Sequence, residues 1–551
     1  MNTGGFTPLL PSPESLSIAE QVAQMIVVRV SGHLFDHQRG YPNWEADQST
    51  LDHYLNLGIG GVILLGGSAA EVGIRTHTLQ SQTSVPLLIA ADIEEGVGQR
   101  FDGATQFPPP MALEAIYHQA PEKAIAYAEA MGAVTAQEAL AVGINWLLAP
   151  VVDVNNNPRN PVINVRAFGR SPAVVSQLAA AFIRGSQRHA VLTTAKHFPG
   201  HGDTHIDSHL TLPTIPHDLK RLEAIELAPF RAAIAAGVDA IMTAHLRVPA
   251  LDRQHPATLS GAILNPILRQ KLGFDGVIVT DALIMGGITQ HYGDYEAAVM
   301  AVEAGADVLL MPRDPEGVIG AICEAVTIGR LAPERILDAV ERLWRAKQKA
   351  MALMEIPPES CHAWEHVQPP PVRLETLAQP EDRVQARAIL QAAMVVQGQI
   401  PPNANGRAEN IVLMDDLLSS PGLTNRSAAI AVPRQLGYRL RLIDHNGCQQ
   451  LPIAAPAPAL LQLFIRGNPF RGSAEITDMA QTWLRALIKN EGLIGIVVYG
   501  SPYAFASFEA DLPEGIARGF TYGQTPLAQE LLMQALCDYE VGLNSSSTFT
   551  D

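Results

Sequence analysis

The feature that most limits the possible folds is an alternation of short apolar runs with helix-like segments between residues 21 and 328. The apolar runs have the length and the β-branched content of buried strands, and stretches rich in Ala, Leu and Glu separate them. Such an alternation predicts a parallel sheet. The eight predicted strands are residues 25–28, 60–65, 87–92, 145–152, 193–197, 240–245, 277–281 and 308–311.

Eight units of this kind within roughly 300 residues favour a closed (β/α)₈ barrel of the TIM type, in the α/β class. An open, doubly wound sheet is the alternative. Polar side chains at the predicted carboxyl ends of the strands favour the barrel, because a barrel collects these ends on one rim. The side chains concerned are Asp92, Asp153, Lys196, His245 and Asp281.

The length of 551 residues predicts more than one domain. A helix-like pattern at 333–354 follows the eighth unit, and three consecutive prolines at 369–371 lie in a segment with little apolar periodicity. A second, smaller α/β pattern begins near residue 383. We therefore expect a barrel over 17–354, a Pro-rich linker over 355–382 and a C-terminal α/β domain over 383–551.

Net charge and cysteine content limit the binding partners and the cellular location that we expect for this protein. The chain carries 38 basic and 55 acidic residues, a net charge of −17, which disfavours nucleic acids and anionic membranes as partners. Its four cysteines show no CxxC spacing, and no apolar run is long enough to span a bilayer. The first residues lack the basic and apolar regions of a signal peptide. We expect a cytoplasmic enzyme, with an unrecognised export route as the alternative.

The segment 196–209, KHFPGHGDTHIDSH, concentrates polar chemistry in fourteen positions that include four histidines, two aspartates and a lysine. It follows the apolar run 190–195. A buried strand would require its charges to be paired, and a solvated loop does not require so many histidines. The segment therefore predicts a strand end that opens into an active-site loop.

Asp207 and His209 are separated by one residue, so an extended backbone places both side chains on one side. An aspartate in this position holds an imidazole in one tautomer and favours its protonated form. A purely structural pair is the alternative for such a spacing. The surrounding Lys196, His197 and Asp203 favour the catalytic interpretation.

A metal site is a second interpretation of the same segment, because potential ligands alternate along it. Gly200 and Gly202 argue against the regular strand that would bring these ligands to one face. We therefore expect neither a metal nor another cofactor. The alternating residues are His201, Asp203, His205, Asp207 and His209.

Further strand ends carry acids, amides and arginines. Asp281 ends the β-branched run 277–281, where it is either a carboxylate at the barrel mouth or a helix N-cap. Asp92 opens the segment DIEEG, with Arg100 behind it, and Arg166 lies beyond the NNNP segment. A rim of such groups is suited to a polyhydroxylated ligand, because each hydroxyl both donates and accepts hydrogen bonds.

Together these motifs resemble family 3 of the glycoside hydrolases, and more narrowly its bacterial β-N-acetylglucosaminidase (β-N-acetylhexosaminidase) branch. The resemblance rests on KHFPGHGDTHIDSH, the strand end at Asp281, DIEEG with QRF, and the segment NPVIN-R-AFG. It covers about residues 17–350. The C-terminal part resembles, in outline, the α/β sandwich domain of many members.

The resemblance implies specific roles. Asp281 matches the catalytic nucleophile, His209 the acid/base and Asp207 its partner. The positions that match sugar-binding residues are Asp92, Arg100, Arg166, Lys196 and His197. One departure is visible, because the usual EGGR of the family is replaced by EGVG at residues 95–98.

The expected activity is retaining hydrolysis of terminal, non-reducing β-linked N-acetylglucosamine from small carbohydrates, peptidoglycan fragments in particular. A covalent glycosyl-aspartate would form, and a His-Asp pair would act as acid and base. Phosphorolysis of the same linkage and β-glucosidase or β-xylosidase activity are the enzymatic alternatives. A non-catalytic sugar-binding barrel is a further alternative, which the presence of both catalytic residue types disfavours.

Overall fold

The computed structural model describes residues 10–207, 211–351, 369–403, 405–417, 422–444, 457–467 and 474–537. The chain divides into two units, Met1–Gln385 and Ala386–Asp551. Half of the predicted linker 355–382, residues 355–368, lies outside the described residues, so its boundaries stay a prediction.

The first unit is built on eight strands: β1 (Ile26–Ser31), β2 (Gly61–Leu65), β3 (Leu88–Ala91), β4 (Trp146–Leu147), β5 (Leu192–Phe198), β6 (Ala240–Thr243), β7 (Val277–Val279) and β8 (Leu309–Leu310). Each strand from β1 to β6 pairs in parallel with the next one, and β8 pairs in parallel with β1. A parallel bridge between Val279 and Val308 joins β7 to the start of β8. The barrel is therefore closed, which confirms the prediction and excludes the open sheet.

Helices follow the strands around the barrel. They are α1 (Ile18–Gln24), α2 (Gln48–Asn56), α3 (Ala69–Ser81), α4 (Ala112–Tyr117), α5 (Pro121–Ala141), α6 (Pro172–Ser186), α7 (Leu219–Ala224), α8 (Ala228–Ala235), α9 (Gly261–Ile263), which continues as a π-helix (Leu264–Lys271), α10 (Gly286–Tyr292), α11 (Asp294–Ala304), α12 (Pro315–Thr327) and α13 (Pro333–Ala350).

Local sequence explains where these elements begin and end. Ser17 and Ser68 form capping boxes with the glutamates three residues later, at the starts of α1 and α3. All residues of β3 and β5 are buried, since the helices cover the outer face and side chains fill the interior. β4 is shorter than predicted, and pairing with β5 continues beyond it at the isolated bridge between Val151 and Lys196.

The second unit contains one mixed sheet. Its strands are β9 (Val395–Gln397), β10 (Glu409–Met414), β11 (Arg439–Ile443), β12 (Ala459–Ile465), β13 (Leu493–Gly500) and β14 (Ala517–Thr521), in the order β11-β10-β12-β13-β14-β9. Every neighbouring pair is parallel except β14 and β9. The predicted smaller α/β domain is confirmed.

The helices of this part are α14 (Pro380–Ala393), which contains the boundary between the units, α15 (Ala428–Gln435), α16 (Ala474–Lys489), α17 (Pro502–Glu509) and α18 (Pro526–Cys537). The strand-like runs 411–414, 461–464 and 494–498 of the sequence predict the central strands β10, β12 and β13, whereas β9, β11 and β14 are not predicted. In the described part of the chain, no helix combines the length and apolar composition needed to cross a bilayer.

Candidate active site

The carboxyl ends of the barrel strands bring the predicted residues to one rim. Asp92 directly follows β3, Lys196 and His197 lie near the end of β5, and Asp281 follows β7. Because all eight strands are parallel, these ends lie on the same side of the barrel. Residues far apart in the sequence therefore share one site.

A buried ion cluster forms the floor of this site. The Nζ atom of Lys196 lies 2.7 Å from Asp92 Oδ1 and 2.7 Å from Glu94 Oε1. Arg166, on the 3₁₀ turn Asn164–Arg166, donates from Nε and Nη2 to Glu94 Oε2 and Oε1 at 2.9 and 2.7 Å. The Asp92 side chain is 35% exposed and that of Glu94 is 3% exposed, so Asp92 faces the open side and Glu94 lies behind it.

All four groups of the cluster are held in their charged forms. Burial by itself would raise the pKa of both carboxyl groups, but Lys196 holds the pKa of Asp92, and Arg166 and Lys196 hold the pKa of Glu94, below the ordinary range. Burial also opposes the charge of Lys196, and Asp92 and Glu94 outweigh it, so the pKa of Lys196 is raised. The pKa of Arg166 is raised in the same way by Glu94. The cluster thus presents fixed charges to a ligand.

Asp153, which is fully buried beyond β4, orients His197 and the start of the following loop. Its Oδ2 atom lies 2.8 Å from His197 Nδ1, and its Oδ1 atom accepts a hydrogen bond from the amide of His201 at 2.6 Å. Burial raises the pKa of Asp153, but the neighbouring His197 outweighs this effect and the net pKa is lowered. The carboxylate therefore fixes the ring orientation of His197.

The loop after β5 is held against the barrel by backbone contacts. Asn160 donates from Nδ2 to the carbonyls of His201 and Gly202 at 2.8 and 2.9 Å. A Cβ on Gly202 would lie 1.8 Å from the carbonyl oxygen of Val154, so only glycine fits there. These contacts determine the path of the loop as far as the buried Asp207.

Asp203 connects this loop to the segment around α7. Its Oδ2 atom accepts from Arg221 Nη2 at 2.6 Å and lies 2.9 Å from His217 Nε2. Asp203, His217 and Glu226 place potential metal-ligand atoms within 4.8 Å of one another. Arg221 already supplies positive charge there. The alternating residues of the loop therefore do not gather as one ligand set in the part of the chain that the structure describes.

Asp281 is half-buried at the end of β7. Its amide donates to the carbonyl of Thr243 at 3.1 Å, and its Oδ1 atom accepts from the amide of Ala282 at 2.8 Å. Its charge also acts on the imidazole of His201, which places the carboxylate beside the loop. Asp281 thus stands on the rim beside the loop that follows β5.

The structure brings Lys196 into direct contact with Asp92, and Glu94 joins Lys196 to Arg166. Arg100 is exposed, and its Nε atom donates to the backbone carbonyl of Asp92 at 3.0 Å. His209 lies outside the described residues, so its predicted role stays a prediction, as do the roles of the other site residues.

Two acids of the site, Glu94 and Asp153, have no predicted catalytic or sugar-binding role, although Asp153 is one of the polar side chains predicted at the strand ends. Both residues lie in polar segments that follow predicted strands. A buried acid directly after a strand is the signal that could have identified them. Their partners in the fold, Arg166 and His197, are far away in the sequence, so no local pattern indicates the pairing.

Acidification is expected to destabilise the protein through His201. Burial lowers the pKa of His201 to about 4, whereas an imidazole in the unfolded chain titrates near about 6.5. Between these pH values the unfolded state binds more protons, so the free energy of unfolding falls as the pH falls. We expect this histidine to account for a loss on the order of 2 kcal/mol between about pH 7.5 and about pH 5.

Urea unfolding at several pH values measures this effect. His201→Gln should flatten the pH dependence of the unfolding free energy in this window. His255→Gln, which removes a more exposed histidine beside Asp252, is the matched control and should leave the dependence unchanged. An unchanged pH slope in His201→Gln would show that the folded protein does not depress the pKa of this histidine.

Comparison with known families gives two matches. The family described as "Glycosyl hydrolase family 3 N terminal domain" matches residues 17–346, which is more than half of the chain. The "Bacterial Glycosyl hydrolase family 3 C-terminal domain" matches residues 402–538.

Individual relatives agree with this family. A Chromobacterium violaceum beta-hexosaminidase is 37% identical over 318 residues, 57% of this chain and 86% of that protein. A Cellulomonas fimi beta-N-acetylglucosaminidase/beta-glucosidase is 28% identical over 88% of this chain and 87% of its own length. The chain spans only 53% of the length of beta-hexosaminidase A from Pseudoalteromonas piscicida, at 37% identity.

A solved structure is similar over most of the chain. The glycoside hydrolase family 3 beta-N-acetylglucosaminidase from Paenibacillus sp. str. FPU-7 superposes with a TM-score of 0.75 at 28% identity, covering 95% of this chain and 97% of that one. The predicted family and branch are confirmed. The chain is a glycoside hydrolase that belongs to glycosyl hydrolase family 3, and within that family it groups with the bacterial β-N-acetylhexosaminidases.

Proposed function

We propose that this protein hydrolyses terminal, non-reducing β-linked N-acetylglucosamine with retention of configuration. The observation that supports this best is the buried cluster of Lys196, Asp92, Glu94 and Arg166 on the same rim as the carboxylate of Asp281. Such a rim combines fixed hydrogen-bonding groups with a nucleophile. The names of the relatives, beta-hexosaminidase and beta-N-acetylglucosaminidase, indicate the same class of substrate.

The charged groups of the cluster would bind the sugar. The part-exposed carboxylate of Asp92 accepts hydrogen bonds from hydroxyl groups, and the guanidinium of Arg166 and the ammonium of Lys196 donate them. Glu94 positions both cations from behind, and Asp153 does the same for His197. Because these groups are held by ion pairs before a ligand arrives, little reorganisation is required on binding.

The chemical steps then follow the retaining mechanism. Asp281 attacks the anomeric carbon and forms a glycosyl ester, while His209 protonates the leaving oxygen. In the second step His209 takes a proton from water, which attacks the anomeric carbon and releases Asp281. Asp207 would hold the imidazole of His209 in the productive tautomer.

Turnover of chromogenic β-N-acetylglucosaminide, β-glucoside and β-xyloside by the whole protein tests the substrate class. We expect the N-acetylglucosaminide to be preferred, and NMR of the first product formed should show the β-anomer. Preference for the plain glucoside would contradict the proposal. Product analysis in phosphate buffer separates hydrolysis from phosphorolysis, since only phosphorolysis yields a sugar 1-phosphate.

His209→Ala is expected to lower kcat/KM for a disaccharide by roughly 10²-fold, because general acid assistance is lost. The loss on an aryl glycoside should be much smaller in the glycosylation step, since a good leaving group hardly needs the proton. Asp207→Ala should show the same trend more weakly. Steady-state rates on both substrates measure the contrast, and equal losses would indicate a structural role for the loop.

The natural source of the linkage is part of the same proposal. We infer that peptidoglycan fragments in the cytoplasm supply the N-acetylglucosamine that this protein releases. Release of free N-acetylglucosamine from purified cell-wall fragments is the assay for the substrate, and fractionation of cells that produce the protein is the assay for the location.

A further inference from the structure

An exposed aromatic cluster lies on the loop between β1 and α2, residues 32–47. Within the described ranges, only three Phe, Tyr or Trp side chains are largely exposed: Phe35 at 61%, Tyr41 at 51% and Tyr295 at 48%. Two of the three belong to this loop. Single exposed apolar residues are ordinary, but neighbouring aromatic rings on one loop indicate a binding surface.

The rings of this loop are arranged in layers. Those of Tyr41 and Trp44 are nearly parallel, with an interplanar angle of 10° and centroids 5.8 Å apart. The guanidinium carbon of Arg29 lies 4.7 Å from the centroid of Tyr41 and 5.6 Å from that of Trp44. Phe35 stacks on His37 with centroids 5.9 Å apart. We refer to Tyr41 and Trp44, whose rings contact each other, as the aromatic platform.

Buried polar contacts hold the part of the platform that carries Tyr41. The side chain of Glu45, only 1% exposed, accepts from the amide of Tyr41 at 3.2 Å and pairs with Arg29 at 3.4 Å. Arg39 donates to the carbonyl of Glu45 at 2.8 Å, and the amide of Trp44 donates to the carbonyl of Tyr41 at 2.9 Å. The ring positions are therefore preorganised, which reduces the entropy lost when a ligand binds.

The platform lies on the same rim as the candidate active site. Its loop begins at the carboxyl end of β1, and only β2 separates β1 from β3, which ends at Asp92. Two strand spacings correspond to roughly 10 Å. In register, Arg29 of β1 is level with Ile63 of β2 and so with Ala90 of β3, two residues before Asp92.

Electrostatics give a second link between the platform and the site. Burial lowers the pKa of Arg29, and the charges of Glu45 and Asp92 oppose this change. The guanidinium that packs against Tyr41 is therefore within electrostatic reach of the carboxylate that we assign to sugar binding. The loop that carries the platform therefore lies near Asp92 of the proposed sugar site.

Sugar rings suit such a surface. A pyranose has C–H groups that pack on an aromatic face and hydroxyl groups that remain available to the polar surroundings. The sites built by Asp92, Lys196 and Arg166 would hold the terminal ring, so a surface one ring away would meet the next one. Because the surface is exposed, leaving groups of different size can extend beyond it into solvent.

We propose that the aromatic platform is the binding site for the sugar ring on the leaving-group side of the scissile bond. This inference rests on the proposed function, because it assigns the neighbouring subsite of the same substrate. Tyr41 would supply the main contact, and Arg29, held by Glu45, would keep the ring of Tyr41 in place.

Substrate length tests the proposal. We expect Tyr41→Ala to lower kcat/KM by roughly 3- to 10-fold for the β-linked N-acetylglucosamine disaccharide, mainly through KM. The methyl β-N-acetylglucosaminide, which has no second ring, should change by less than about twofold. Tyr41→Phe keeps the stacking face and should behave like the unmodified protein on both substrates.

Tyr127→Ala is the matched control, since Tyr127 also packs under a cation, with Lys123 Nζ 5.6 Å from its ring centroid, but lies on α5. It should affect both substrates equally or not at all. Equal losses on the two substrates in Tyr41→Ala, or no loss on either, would overturn the proposal. So would a selective loss on the disaccharide in Tyr127→Ala.

Binding measurements distinguish failure of this inference from failure of the proposed function. Titration calorimetry should show that Asp281→Asn binds the N-acetylglucosamine disaccharide. Adding Tyr41→Ala to this variant should weaken the binding by a similar factor, roughly 3- to 10-fold. If the unmodified protein hydrolysed no N-acetylglucosaminide, the proposed function would be wrong. Hydrolysis together with unchanged binding in the double variant would instead reject the platform alone.

Discussion

Asp281→Asn is expected to lower kcat for β-N-acetylglucosaminides by on the order of 10⁴-fold or more, with the fold retained. The substitution removes the charge of the carboxylate at nearly constant volume. The Ala282 amide that donates to Asp281 Oδ1 finds an equivalent acceptor in the asparagine side-chain oxygen. Steady-state kinetics and circular dichroism measure activity and folding separately.

Asp275→Asn is the matched control, because Asp275 precedes β7 and Asp281 follows it, at opposite ends of one strand. The Asp275 side chain is 83% exposed, and its ion pairs with Arg342 and Arg345 are long, at 3.8 and 3.6 Å. We expect its activity to stay within about twofold.

Labelling of the protein gives an independent check on the nucleophile. A 5-fluoro N-acetylglucosaminyl derivative with a good leaving group, which slows release of the enzyme-bound sugar and keeps the 2-acetamido group, should modify Asp281 in the unmodified protein, as peptide mapping would show. A label on another residue would remove Asp281 from the mechanism.

Glu94→Gln is expected to lower kcat/KM by on the order of 10³-fold and the free energy of unfolding by about 3–5 kcal/mol. Glu94 is buried and contacts both Lys196 and Arg166, so a neutral amide leaves one buried positive charge without its counter-charge. The side-chain NH₂ of the glutamine would also point a hydrogen-bond donor at Lys196 or Arg166, which are themselves donors. Lys196 and Arg166 should therefore both shift away from their positions.

Glu114→Gln is the control that separates the loss of a charge at the candidate site from the loss of a buried charge elsewhere. Glu114 is equally buried, at 3%, and accepts from Arg170 Nε at 2.9 Å, but Arg170 is 55% exposed and the pair lies at α4. This variant should lose stability and keep kcat/KM within about threefold. Denaturant unfolding and kinetics below the transition measure both quantities. Similar kinetic losses in the two glutamine variants would mean that Glu94 contributes to folding only.

Several features of the protein follow from local sequence. The eight barrel strands are visible because their apolar runs are bounded by turn and helix signals that act over a few residues. KHFPGHGDTHIDSH identifies the end of β5 as a site, since so many ionisable groups have no place in a core. Within the second unit, β10, β12 and β13 are recognisable for the same reason as the barrel strands. By contrast, β9 and β11 lie at the two edges of that sheet and are largely exposed: β9 is only three residues long, and β11 alternates arginine with leucine, so neither contains a long apolar run.

Only the tertiary structure decided how the site is assembled. Lys196 meets Asp92 across 104 positions of the chain, and Arg166 meets Glu94 across 72. Barrel closure and the register between strands determine these partners, and neither is encoded in the spacing of any motif. The depressed pKa values of Asp92 and Glu94 depend on the same contacts. The sequence therefore determines which groups line the rim, whereas the fold decides which of them are paired and charged, because electrostatic interactions depend on distances and burial that only the folded chain creates.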